Sequence, residues 1–104
     1  MIYNVRTYTL HPRMTKKYVD LFETMAMPVA KRRGFRLIGY FTSRVGALNQ
    51  CVHIWAYESL AEFEAMRAER DGDPDWQKFL DATTGLVAHQ EDKLMAPTSF
   101  SPLQ

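Results

Sequence analysis

The sequence predicts an α+β domain in which both helical segments lie on one face of a four-stranded antiparallel sheet. Three observations carry this. The elements run in the order β-α-β-β-α-β. Two helix starts and two helix stops are marked by capping residues. Finally, the segment Asn49–Glu58 (NQCVHIWAYE) alternates with a period of two, setting Val52, Ile54 and Ala56 on one face and Cys51, His53, Trp55 and Tyr57 on the other.

Met1–Leu10, rich in tyrosine, threonine and valine, reads as the first strand and is broken by His11-Pro12. From Thr15 to Arg33 the residues Tyr18, Leu21, Phe22, Met25 and Val29 recur at helical spacing. Pro28 is expected to kink that helix or loosen its last turns, and Gly34 to stop it. Phe35–Ser43 reads as the second strand, and Val45-Gly46-Ala47-Leu48 as the hairpin turn into Asn49–Glu58. In Phe35–Ser43, Leu37, Gly39 and Phe41 compete with Ile38 and Tyr40 for the core side.

Ser59-Leu60-Ala61-Glu62 matches a capping box, starting a helix whose apolar face is Leu60, Phe63 and Met66 and which ends near Gly72. Asp73-Pro74 restarts a helical segment, with Trp76, Phe79 and Leu80 as its stripe and Gly85 as its stop. Leu86–Met95 is the last strand. Residues 1–96 thus form one domain, and 97–104, which carry Pro97 and Pro102, form an extended tail expected to lie on a neighbouring surface. The order is that of the ferredoxin-like split βαββαβ unit.

Composition narrows the function classes. With 104 residues, 46% apolar and 24% charged, the chain is an ordinary single globular domain. A net charge of +1 gives no field to steer toward nucleic acid or anionic lipid. Lys31-Arg32-Arg33 fill a last helical turn, where cations favour the dipole. A single cysteine, the lack of a membrane-length apolar run and the lack of a signal-peptide core point to a cytoplasmic protein.

In the predicted sheet, one face is covered by helices and the other is not. If Val5 and Val52 face the helices, the uncovered face carries Arg6, Tyr8, His53, Trp55 and Tyr57. Such an aromatic patch calls for cover, and two copies packed sheet to sheet supply it, so a homodimer is expected. The aromatic residues then have two readings: walls of an inter-sheet pocket, or a packed interface. Arg6, in mid-strand, needs a partner. It is either an internal ion pair, with Glu91 on the neighbouring last strand, or a clamp for an anionic ligand. The expected ligand-binding set is Arg6, Tyr8, His53, Trp55, Tyr57 and Glu91.

His89 and Glu91 share a strand face, but no third ligand is near, so neither a metal nor another cofactor is expected. Cys51 reads as a small buried thiol, and Asn49-Gln50 as a hairpin cap or part of a cavity mouth. Phosphate-loop, serine-hydrolase and CxxC signatures are missing.

The opening MIYNVRTYTL, the segment GALNQCVHIWAYESLAEFEAMRA, the DPDW turn and the closing KLMAPTSFSP resemble the NIPSNAP family over essentially the whole chain. The resemblance implies a dimeric α+β-barrel fold. Longer members of that family carry two such domains and a mitochondrial targeting segment. This chain reads as one domain without a presequence, so their mitochondrial or vesicle roles do not transfer. The family supplies no established catalytic residues. Three functions follow as expectations: binding of a small aromatic or anionic molecule in an inter-sheet cavity; a cofactor-independent monooxygenase or isomerase, with His53 as general base and Arg6 or Tyr57 stabilising an oxyanion; or a non-catalytic interaction module.

Overall fold

The computed structural model describes residues 1–104, and the expected element order is present. Strand β1 (Ile2–Leu10) leads to helix α1 (Thr15–Leu21), which continues through a π-helical turn (Phe22–Ala26) into α2 (Met27–Arg32). Strands β2 (Arg36–Thr42) and β3 (Gln50–Tyr57) form the hairpin, α3 (Leu60–Asp71) and α4 (Pro74–Ala82) follow, and β4 (Val87–Met95) closes the sheet. The four strands are antiparallel in the order β2-β3-β1-β4.

Local chemistry sets the helix ends. Ser59 accepts a hydrogen bond from Glu62 N at 3.1 Å, and Asp73 accepts one from Asp75 N at 2.9 Å with Pro74 in the first turn. Gly34, at φ +77°, terminates α2 in the left-handed region where glycine has no Cβ penalty. Arg32 and Arg33 do more than complement the helix dipole: their guanidiniums hold Asp73 at 2.6 and 2.8 Å, tying the end of α2 to the start of α4. Those two arginines drive the Asp73 carboxyl far below the usual carboxylate range.

The first helix is not one regular rod. Met27 N–H bonds to Phe22 C=O, five residues back, just before Pro28, which has no N–H to give. The wider turn rotates the stripe, so that Tyr18, Phe22, Ala26 and Val29 are buried while Leu21 and Met25 are only partly covered.

The largest correction concerns the sheet's faces. Cys51, His53, Trp55 and Tyr57 lie beneath the helices, together with Asn4, Tyr8 and Leu10 of β1, and the aliphatic residues Val5, Val52 and Ile54 point to the other side. The helices present rings (Tyr18, Phe22 and Phe79), and the sheet answers them with large side chains that span the space between layers. Strand β2 serves both faces because its register slips between Leu37 and Gly39. Leu37 pairs with Trp55 and Tyr40 with His53 on the helix side, whereas Gly39 and Phe41 oppose Ile54 and Val52. A Cβ at Gly39 would meet the exposed Phe41 ring at 2.7 Å, so a larger residue there would make that ring swing aside.

The tail folds back along its own chain: Tyr3 Oη donates to the carbonyl of Gln104 at 2.6 Å. No helix is long and apolar enough to cross a membrane.

Candidate functional site beneath the helices

A cavity of about 340 Å³ separates the sheet from the helices, at the small end of the roughly 300–1,000 Å³ of ligand pockets. Five of the six residues expected to bind a ligand line it: Arg6, Tyr8, His53, Trp55 and Tyr57. Period-two reasoning grouped them correctly and placed the group on the wrong side of the sheet. The sixth, Glu91, is elsewhere. It pairs with Thr7 on the opposite face, where His89 also lies opposite Thr9, and it does not touch Arg6.

Arg6 is instead opposed by Asp92, whose Oδ2 accepts from Nη1 at 3.1 Å. The same Nη1 reaches Asn4 Oδ1 at 3.4 Å, and Asn4 in turn donates to Asp92. Arg67, from α3, adds a second guanidinium on Asp92 at 3.1 Å. On its other edge Arg6 donates to the Tyr8 hydroxyl, from Nε at 3.0 Å and from Nη2. Burial works against the Arg6 charge, yet Tyr8 and Asp92 outweigh it and hold the guanidinium above its ordinary pKa. Asp92 is likewise penalised by burial, and its bonds from Asn4, Arg6 and Arg67 bring it below the ordinary carboxylate value. The internal ion-pair reading of Arg6 therefore fits, with a partner one residue further along β4.

His53 sits at the centre of the aromatic layer and is 2% exposed. Tyr40 stacks on it at 4.5 Å, while Tyr8 and Phe22 meet it edge-on at 5.0 and 5.5 Å. Trp55 Nε1 donates to its Nδ1 at 2.7 Å. An indole N–H can only donate, so Nδ1 accepts and the imidazole proton resides on Nε2. That Nε2 is buried and has no hydrogen-bond partner. Burial, reinforced by the Arg6 charge, lowers the His53 pKa to about 3. A neutral ring already protonated on Nε2 cannot act as the general base that the sequence suggested; it can act as a hydrogen-bond donor.

The rest of the wall is mixed: Trp55, Phe22, Phe35, Phe79 and Trp76 supply apolar surface, and Asn4, Arg70, Asp71, Thr83 and Gln90 add polar groups. Arg70 covers Trp76, its guanidinium carbon 4.4 Å from the ring centroid, and bonds to Asp71. Burial lifts the Tyr57 phenol pKa, and nearby Arg70 draws it back in part. Cys51 is a buried thiol 3.6 Å from the Tyr40 hydroxyl, its pKa raised by burial. Asn49 bonds across to the turn after β1 and not within its own hairpin: its Oδ1 accepts from Arg13 N at 3.2 Å. Sequence reasoning missed Asn4, Asp92 and Arg70. Asn4 shares the Arg6–Tyr8 face by the same period of two, a readable signal, whereas the other two required the register of β4 and the fold of α3.

A NIPSNAP family model matches residues 3–102. The chain belongs to the NIPSNAP family. NIPSNAP relatives bear this out in sequence and in shape. The protein NipSnap of Drosophila melanogaster is 30% identical over 99% of this chain. The chain spans 37% of that relative's length, so what the longer protein does is a separate matter. A NIPSNAP family protein from Agrobacterium tumefaciens superposes with a TM-score of 0.94 at 38% identity, over 100% of this chain and 94% of that one. A putative antibiotic biosynthesis monooxygenase from Nitrosomonas europaea shares the ferredoxin-like fold, with a TM-score of 0.71 over 93% of this chain and 98% of that one. At 10% identity that likeness concerns fold alone.

Proposed function

We propose that this NIPSNAP domain binds a small, largely aromatic molecule with a polar or anionic end in the cavity beneath the helices. The observation that carries the reading is the buried, unpartnered Nε2–H of His53, on a residue that lines a cavity rich in aromatic rings. A buried donor without a partner costs stability, about 1–3 kcal/mol, that an arriving acceptor would recover. In a thermal-shift and calorimetric panel of aromatic acids and quinones, at least one compound raises the melting temperature, and Ala30→Trp, which places an indole in the cavity, abolishes the effect. A panel without hits, or hits untouched by Ala30→Trp, removes the reading.

The free, buried Cys51 suits a reducing compartment such as the cytoplasm. A cofactor-independent monooxygenase or isomerase is the second reading. The cavity offers donors for a developing oxyanion, but His53 does not supply its base.

The domain would work as a homodimer joined through the face opposite the cavity. That face carries Val5, Val52 and Ile54, with Phe41 59% exposed, and no helix covers it. Light scattering at micromolar concentration is expected to give twice the chain mass, and Ile54→Asp to halve it. A monomeric wild type sinks the dimer and leaves the cavity reading standing.

A further inference from the structure

We propose that the polar end of the cavity recognises a single anionic oxygen, a phenolate or enolate, through two donors on neighbouring residues that line it: Tyr8 Oη–H and His53 Nε2–H. This rests on the cavity being a ligand site and names the chemistry it selects.

The hydrogen-bond inventory around Tyr8 leads there. Its oxygen accepts from both Nε and Nη2 of Arg6, which occupies its lone pairs. The hydroxyl proton must then point away from Arg6, and the protein offers it no acceptor. His53 presents a second donor in the same condition, since Trp55 fills Nδ1 and Nε2–H is left over. The two rings are 5.0 Å apart on adjacent strands, at an interplanar angle of 81°, and both line the cavity. Two unpaired donors on neighbouring side chains can serve one oxygen with two lone pairs.

A carboxylate fits less well. Bidentate recognition needs a free guanidinium fork, and Arg6 has committed Nη1 to Asp92 and Asn4, and Nε and Nη2 to Tyr8. Arg6 is thus a positioning residue. It orients the Tyr8 proton into the cavity and, through its charge, strengthens that donor. The surrounding charges favour an anion: three guanidiniums (Arg6, Arg67 and Arg70) face two carboxylates (Asp92 and Asp71). The flat body of the ligand would rest among Trp55, Phe22 and Phe79.

The chromophoric probe 4-nitrophenol tests this at a pH below its own pKa, where the free compound is mostly un-ionised. Binding is expected to raise the phenolate absorption band saturably, the phenol proton passing to the buffer. Nitrobenzene, which lacks the hydroxyl, should bind without preference for either donor. Tyr8→Phe keeps the ring and removes the donor, and should weaken nitrophenolate about ten- to a hundredfold, a far larger change than in nitrobenzene affinity. Arg6→Gln should lower the bound phenolate fraction in the same selective way. Three results would overturn the inference and leave the cavity reading intact: 4-nitrophenol bound with no growth of the phenolate band, equal affinity in Tyr8→Phe, or tighter binding of 4-nitrobenzoate. If neither 4-nitrophenol nor nitrobenzene binds, the inference falls, and the cavity reading is decided by the panel of aromatic acids and quinones. The wild-type spectrum decides the matter even if a variant fails to fold.

Discussion

Lowering the pH from 7 to 4 is expected to remove about 3 kcal/mol of folding stability through His53 alone. In the unfolded chain a histidine takes up its proton near pH 6.5, about its ordinary value. In the folded protein burial and the Arg6 charge lower that to about 3. Between those two values the unfolded state binds one more proton than the native state, so stability falls as pH falls. Above about 6.5 neither state is protonated there, and the residue imposes no pH dependence. Asp92, held below the ordinary carboxylate value, contributes in the same direction only at lower pH. Urea unfolding of wild type and His53→Gln at pH 7, 5.5 and 4 separates the effects, because glutamine can still accept the Trp55 N–H and does not titrate. The wild-type curve should drop relative to the variant across this window. Parallel curves would mean that His53 is solvated or paired in the native state, and the donor assigned to Nε2 would go with it.

This one residue also shows what the sequence could and could not convey. Caps and stops are local, so Ser59, Asp73 and Gly34 were legible: each needs only its neighbours within a turn. The grouping of Arg6, Tyr8, His53, Trp55 and Tyr57 was legible too, because a strand's period is fixed. Which side that group faces was not. Both faces of β3 are apolar enough to be buried, and the choice depends on what the helices bring. Tyr18, Phe22 and Phe79 leave an interlayer space that rings can span, and Val52 and Ile54 are too short for it. That is a property of two layers together. Arg6 finds Asp92 and not Glu91 for a similar reason: β4 slips its register between Thr9 and Leu10, and a slip of one residue exchanges the faces. The π-helical turn, which exchanges Met25 for Ala26 in the core, follows from the five-residue bond to Phe22 that only the folded helix displays.

The same layer makes Phe79 the side chain whose loss should cost most. Helix α3 has no fully buried residue, and Phe79 is the one buried residue of α4, so the second helical arm is anchored largely through this ring. It meets Trp76 at 5.0 Å, Phe22 at 5.5 Å and Tyr18 at 6.0 Å, all ring to ring. Phe79→Ala should therefore destabilise the domain by about 3–5 kcal/mol, counting both the lost transfer energy and the void left behind. A domain of this size commonly has only ~5–15 kcal/mol in all, so the variant would be near its unfolding threshold. The void would open into the existing cavity of about 340 Å³ and enlarge it by roughly a ring. A small apolar aromatic such as toluene should then recover part of the stability, rising with the logarithm of its concentration. Denaturant melts with and without toluene measure both effects. A loss below about 1 kcal/mol would show that α4 is held mainly by the Arg32–Asp73 and Arg33–Asp73 pairs at its start. The wall of the proposed binding site would then be far softer than its packing implies.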